Sequence, residues 1–185
     1  MSLRVFPVLG GASYRSEFYP QPILNAAGEV LQRQHLGIDL FAAEGTPLLA
    51  ADDGIASYGR DVLGGNVVNL RSDDGVRYYY AHLSGFEGGN RRVRAGDVLG
   101  YVGRTGNAAA TSPHSHFEVH PGGGAAVDPY AMLRAAEVRY PSSAPVGLER
   151  YVAPAVVALA LGGAAWWLVS GAPIPRLLVR GKVRT

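Results

Sequence analysis

Apolar and polar residues alternate through most of this chain. In QHLGIDLF (34–41), Leu36, Ile38 and Leu40 alternate with His35, Gly37 and Asp39, the two-residue period of a strand buried on one face. NVVNLRS (66–72) and VRYYYAHLS (76–84) are β-branched and aromatic runs separated by a DDG turn signal, which predicts a hairpin in which His82 shares a face with Tyr78 and Tyr80. GTPLLAADDGIASYG (45–59) and AGDVLGYVGRTGN (95–107) each place a short apolar strand between glycine turns, a weak internal echo. In SPHSHFEVH (112–120), Ser115, Phe117 and Val119 face one way, and His114, His116, Glu118 and His120 the other. The longest helical pattern in the body is DPYAMLRAAEVRY (128–140), with Asp128 as N-cap and Pro129 in the first turn. The pattern predicts an all-β, antiparallel core followed by one short helix.

A different pattern begins near residue 152. VAPAVVALALGGAAWWLVS (152–170) has no ionisable side chain and is long enough, at roughly 1.5 Å per residue, to cross a bilayer's hydrocarbon core. Trp166 and Trp167 suit an interface, and Arg176, Arg180, Lys182 and Arg184 suit a cytoplasmic anchor. The segment is read as a C-terminal transmembrane helix; the alternative is an Ala-rich helix buried against the domain. The apolar run near residue 5 is short and broken by Pro7, so no secretory signal is read there. The organisation expected is an N-terminal extension (1–28), a domain (29–140), a linker (141–151), the span (152–170) and a basic tail (171–185). The positive-inside bias would leave residues 1–150 outside, across the membrane from the basic tail.

Composition narrows the chemistry. A chain of 185 residues suffices for one well-buried domain and an appendage, and its 25 glycines and 12 prolines fit short strands and many turns. It has no cysteine, so a metal must be held by His, Asp or Glu. The net charge of +2 divides into 13 basic against 15 acidic residues in 1–150, and four basic residues with no acid after Ser170. The body lacks the excess of Lys and Arg that a nucleic-acid-binding surface needs.

His35 and Asp39 share a strand face across Gly37, where a missing side chain leaves room for an ion. A late strand carries His-x-His, and an aromatic strand ends in His82. Together these supply two imidazole nitrogens and one carboxylate for a zinc ion, with histidines to spare. Three protein ligands leave a position for water, as in catalytic zinc sites, where the metal makes amide hydrolysis accessible. Glu118 is either an acceptor behind a ligand imidazole or a cross-strand contact. His120 is read as solvated, Tyr80 as strand packing or a cleft wall, and the Asp52–Asp53 pair as part of a turn.

HLGIDLFAAEGTPLLAADDG, YYYAHLS, VRAGDVLGYVGRTGN and SPHSHFEV resemble successive blocks of the lysostaphin/LytM-type zinc metallopeptidases, over about residues 29–134. That resemblance implies a duplicated-hybrid-motif β fold and a murein endopeptidase. It implies that His35, Asp39 and His116 bind one zinc ion, and that His82 and His114 assist the water and steady the transition state. Ser115 replaces the family's usual leucine, and NAAATSP is a stretched form of its usual approach to the His-x-His pair. By alternation Ser115 faces away from the metal. Residues 58–66, 85–94 and 106–113 are the expected specificity loops. The reading is a zinc endopeptidase acting on peptidoglycan peptides and membrane-held by its C-terminal helix; the alternative is a non-catalytic wall-binding or regulatory module of the same fold.

Overall fold

The computed structural model describes residues 2–24 and 30–137. In chain order the strands are β1 (Pro20–Leu24), β2 (Val30–Gln34), β3 (Ile38–Phe41), β4 (Pro47–Leu49), β5 (Gly54–Asp61), β6 (Gly65–Ser72), β7 (Arg77–Ala81), β8 (Gly85–Phe86), β9 (Arg91–Val93), β10 (Val98–Tyr101) and β11 (His114–His120), followed by the helix α1 (Tyr130–Glu137). A six-stranded sheet runs β3-β11-β7-β6-β5-β9, a three-stranded sheet runs β4-β10-β8, and β1 pairs with β2. Every pairing is antiparallel, as the alternating pattern predicts.

Alternation assigns each strand its two faces. On β7 and β11, Tyr78, Tyr80, Ser115, Phe117 and Val119 are buried. Tyr78 stacks on Phe117 at 6.1 Å, and Tyr80 meets the same ring edge-on at 5.1 Å. Tyr80 is core, not cleft wall: its hydroxyl donates to the Leu49 carbonyl at 3.0 Å and accepts the Ala51 N–H at 2.9 Å. With Ile38, Leu40, Leu48, Val68, Leu70 and Leu99 these side chains form one core. The opposite face of the six-stranded sheet is left for polar residues, and it carries the site.

Residues 2–24, read from sequence as part of an extension, supply Leu3, Phe6 and Val8 to that core. Ser13 exchanges two backbone hydrogen bonds with Phe41, each 2.9 Å, which covers part of the outer edge of β3. Arg4 pairs with Asp53, whose other oxygen accepts the Ala95 N–H at 2.8 Å, so the Asp52–Asp53 turn ties these segments together.

Two departures from the sequence pattern bear on the site. The strand read over 34–41 is interrupted: β2 ends at Gln34 and β3 starts at Ile38, so Leu36 is 43% exposed instead of inward-facing. β7 ends at Ala81, and His82 follows at φ 67°, the only non-glycine residue with positive φ among the described residues. That left-handed step turns the His82 side chain away from the face of Tyr78 and Tyr80. The helix begins at Tyr130, with Asp128 capping its N–H at 2.9 Å. Residues 138–140, the linker 141–151, the predicted span 152–170 and the basic tail 171–185 lie outside the described residues. Among the described residues, no helix is long and apolar enough to cross a membrane.

Candidate metal centre

Strand register builds the first half of the site. In the β3–β11 ladder Asp39 is directly opposite His116, so their side chains leave the sheet on one face as close neighbours. His116 Nδ1 is 2.9 Å from Asp39 Oδ1. His35 reaches in from the segment between β2 and β3, its Nε2 3.0 Å from His116 Nδ1 and 3.3 Å from Asp39 Oδ1. The donor atoms of His35, Asp39 and His116 all lie within 4.8 Å of one another.

The remaining ring nitrogens decide what this triangle is for. His35 Nδ1 is 3.1 Å from the Glu17 carbonyl oxygen, which can only accept, so Nδ1 carries the proton. His116 Nε2 is 3.0 Å from Glu118 Oε1 and likewise donates to it. In the neutral rings, the lone pairs of His35 Nε2 and His116 Nδ1 therefore converge with a carboxylate oxygen. Three lone pairs this close repel unless a cation or a proton lies among them. Two imidazole nitrogens and a carboxylate oxygen suit zinc, and both rings are fixed from behind by acceptors, as ligand histidines usually are. The residues fit the ion.

In the metal-free chain a proton meets this need. Burial disfavours a charged His116, but hydrogen bonds from the ring to Asp39 and Glu118 outweigh it and push the pKa up to about 9. Burial also raises the Asp39 pKa, yet the hydrogen bond from His116, with His35 beside it, prevails and holds it far below the usual carboxylate range. A metal must displace the His116 proton, so affinity should tighten about tenfold per pH unit until pH reaches about 9, then level off. Competition against a chromogenic chelator from weakly acidic to alkaline pH measures this; an affinity flat across that range would contradict it.

Gly37 has a different role from the one read in sequence. A Cβ there would stand 2.4 Å from the Phe117 carbonyl oxygen and 2.9 Å from His116 Cε1 and Nε2. The space it leaves is occupied by the His116 imidazole, not reserved for an ion.

His82 and His114 stand beside the triangle. His82 Nδ1 donates to the Thr105 carbonyl at 2.9 Å, and its backbone N–H to Gly64 at 2.7 Å. Burial, then the neighbouring His114, push the His82 pKa down to about 4, so the ring is neutral near pH 7 with its lone pair on Nε2. His114 Nδ1 lies 2.8 Å from the Ser112 carbonyl, and its Nε2 is 3.9 Å from Asp39 Oδ2. The two rings meet edge-on at 4.9 Å. All five residues singled out from sequence thus meet at one place, three as a donor triangle and two as neighbours with Nδ1 fixed by backbone.

The same face holds residues that pattern reasoning missed or misread. Glu118 is the acceptor behind His116, and its second oxygen takes a 2.6 Å hydrogen bond from His120. His120 is buried instead of solvated, with Nδ1 2.8 Å from the Gly124 carbonyl. The Glu118 carboxyl is raised by burial but lowered further by hydrogen bonds from His116 and His120, so it stays ionised. Tyr79, not Tyr80, faces the site: its ring meets His116 edge-on at 6.4 Å and its hydroxyl donates to Asp61 at 2.8 Å. Alternation could have found Tyr79, because it is out of phase with buried Tyr78 and Tyr80. Nothing in the sequence pattern signals the Glu17 carbonyl.

An open cleft of about 730 Å³ passes all five residues. Val62 to Gly64 and Asn107, Ala108 and Thr111 line it, in agreement with two of the expected specificity loops. Among the described lining residues none comes from 85–94; Gln21 and Gln34 of the β1–β2 ribbon line it as well.

A model of the family described as Peptidase family M23 matches residues 33–129, more than half of the chain. The chain belongs to peptidase family M23. The DD-carboxypeptidase/endopeptidase Mpg of Neisseria meningitidis serogroup B is 46% identical over 87 residues, which are 46% of this chain and 20% of that protein. The chain thus spans about a fifth of the length of this relative. The catalytic domain of the antimicrobial peptidase lysostaphin from Staphylococcus simulans superposes with a TM-score of 0.55 and 31% identity, over 66% of this chain and 92% of that one. A zinc-containing peptidase from Vibrio cholerae superposes with a TM-score of 0.56 and 26% identity, over 71% of this chain and 40% of that one. The lysostaphin/LytM-type resemblance read from sequence is borne out.

Proposed function

We propose that the chain is a zinc-dependent endopeptidase that hydrolyses peptide cross-links or stem peptides of bacterial peptidoglycan. The observation that carries this reading is the pair of non-donor histidines beside the donor triangle. A structural metal site closes its coordination with protein ligands; here two fixed imidazoles face an open cleft instead. Membership of the M23 family and the similarity to the peptidoglycan DD-endopeptidase ShyC of Vibrio cholerae, 34% identical over 107 residues, support peptidoglycan as the substrate class.

His35, Asp39 and His116 would hold the zinc ion through Nε2, Oδ1 and Nδ1. Bound there, zinc supplies Lewis acidity toward a carbonyl and makes a nearby water acidic near neutral pH. The Glu17 carbonyl and Glu118 keep both imidazoles in the binding tautomer. His82 is neutral near pH 7 and offers the Nε2 lone pair to a proton, while its Nδ1–H is held by Thr105. His114, held at Nδ1 by Ser112, places Nε2 near Asp39, where it can pass a proton or hydrogen-bond a developing oxyanion.

We place the catalytic domain on the cell-wall side of a membrane, anchored by residues 152–170. The support is the uncharged run closed by Trp166 and Trp167 and followed by Arg176, Arg180, Lys182 and Arg184.

Incubation of the zinc-loaded chain with peptidoglycans of known cross-link, followed by mass spectrometry, tests the activity. The expected products have gained one water at a peptide bond; a chelator stops their release and added zinc restores it. Tightly bound zinc with no cleavage of any wall type would instead make the chain a non-catalytic wall-binding module.

A further inference from the structure

The site face of the six-stranded sheet continues past the metal-binding triangle. Along β7 its outward residues are Ala81, Tyr79 and Arg77, and Ala81 is directly opposite His116. Arg77 therefore lies four residues from the metal position, about 13 Å along the strand at about 3.3 Å per residue. It lines the same cleft, half-buried.

Directly opposite Arg77 in the β6–β7 ladder is Arg71, exposed and on the same outward face. Like charges facing each other across two strands destabilise a sheet. Among the described residues, Arg71 and Arg77 have no carboxylate within ion-pair distance, as is also true of Arg60, Arg91 and Arg94, but Arg71 and Arg77 differ from those three in facing each other directly across two paired strands. Arg77 donates one hydrogen bond, 3.1 Å, to Asn69 Oδ1. The carboxylate one step away on the neighbouring strand, Glu118, already has both oxygens engaged by His116 and His120. Two guanidinium groups on facing positions, one of them lining the cleft, thus lack an anion.

We propose that Arg77, with Arg71 beside it, seats a free carboxylate of the peptide substrate, on a residue about two to four positions from the bond that is cut. The inference rests on the endopeptidase reading and deepens it. A guanidinium offers a planar fork that matches a carboxylate, and such charge-assisted pairs are the strong ones. The seat selects acidic peptide stems over amidated ones. The apolar rim of Leu36, Val62 and Leu63 is neutral to that distinction.

The test compares two short, uncleavable wall-peptide analogues that differ only in a free or an amidated carboxylate, titrated calorimetrically into the zinc-loaded full chain. The free acid should bind at least about tenfold more tightly. Arg77→Gln, which can still donate to Asn69, should erase the preference, and Arg71→Gln should weaken it. Arg92→Gln, a control whose side chain pairs with Asp73, should leave it intact. Equal binding of the two peptides, no binding of either, or a preference that survives Arg77→Gln would overturn the proposal. Wall cleavage assayed alongside reports separately on the endopeptidase reading: cleavage without a carboxylate preference refutes the seat alone.

Discussion

Asp39→Asn should lose zinc and hydrolysis together while the sheet stays folded. Asp39 is the one anionic member of the donor triangle, 2.9 Å from His116 Nδ1 and 3.3 Å from His35 Nε2. Asparagine keeps the shape and an oxygen but removes the charge that draws a cation between two neutral imidazoles. Losing only an outer hydrogen-bond partner of a ligand costs about 10- to 100-fold in affinity, so losing the charged ligand should cost at least about 100-fold. The fold should survive, because Asp39 projects from the outer face while its neighbours Ile38 and Leu40 are fully buried in the core. Metal content after dialysis, thermal unfolding without metal, and product release are the readouts. A variant that kept one zinc per chain would remove Asp39 from the ligand set.

Much of this arrangement is legible in the sequence because a strand has a period of two. Once Ile38 and Leu40 point inward, Asp39 must point outward; once Phe117 and Val119 do, His116 must. Pairing β3 with β11 then brings the carboxylate to the imidazole. His35 was also found, though by an argument that holds only in part: it lies beyond β2 and outside β3, and the exposure of Leu36 shows where alternation stops. His82 is the opposite case. The aromatic run predicts its strand, but the residue leaves that strand at φ 67°, a backbone choice that a pattern of apolar positions cannot encode.

What stayed hidden depends on backbone carbonyls that only the folded chain brings to the rings. His120 is held by the Gly124 carbonyl, within reach only after the PGGG turn folds back, and by Glu118 two residues before it on the same strand. The Glu17 carbonyl fixes the tautomer of His35 across 18 residues of chain, and a backbone oxygen has no signature in sequence. Tautomers decide the chemistry here, since they determine which nitrogen of each imidazole holds a lone pair.

His114→Ala provides the sharpest separation of binding from chemistry. His114 Nδ1 is committed to the Ser112 carbonyl, and its Nε2 is 3.9 Å from Asp39 Oδ2, beside the donor triangle but outside it. Alanine should therefore leave zinc content unchanged while kcat falls by about 10² to 10⁴, the usual contribution of one positioned proton-transfer group. His82→Ala should lower kcat in the same range. Its left-handed backbone and buried ring make unfolding a competing cause there, so a thermal melt must accompany it. If the two rings, 4.9 Å apart, serve one proton path, the double variant should lose little more than either single one. Losses that multiply would give each imidazole a separate task, one for the attacking water and one for the oxyanion. Zinc lost from His114→Ala in step with activity would make His114 a ligand; undiminished kcat would remove it from the reaction.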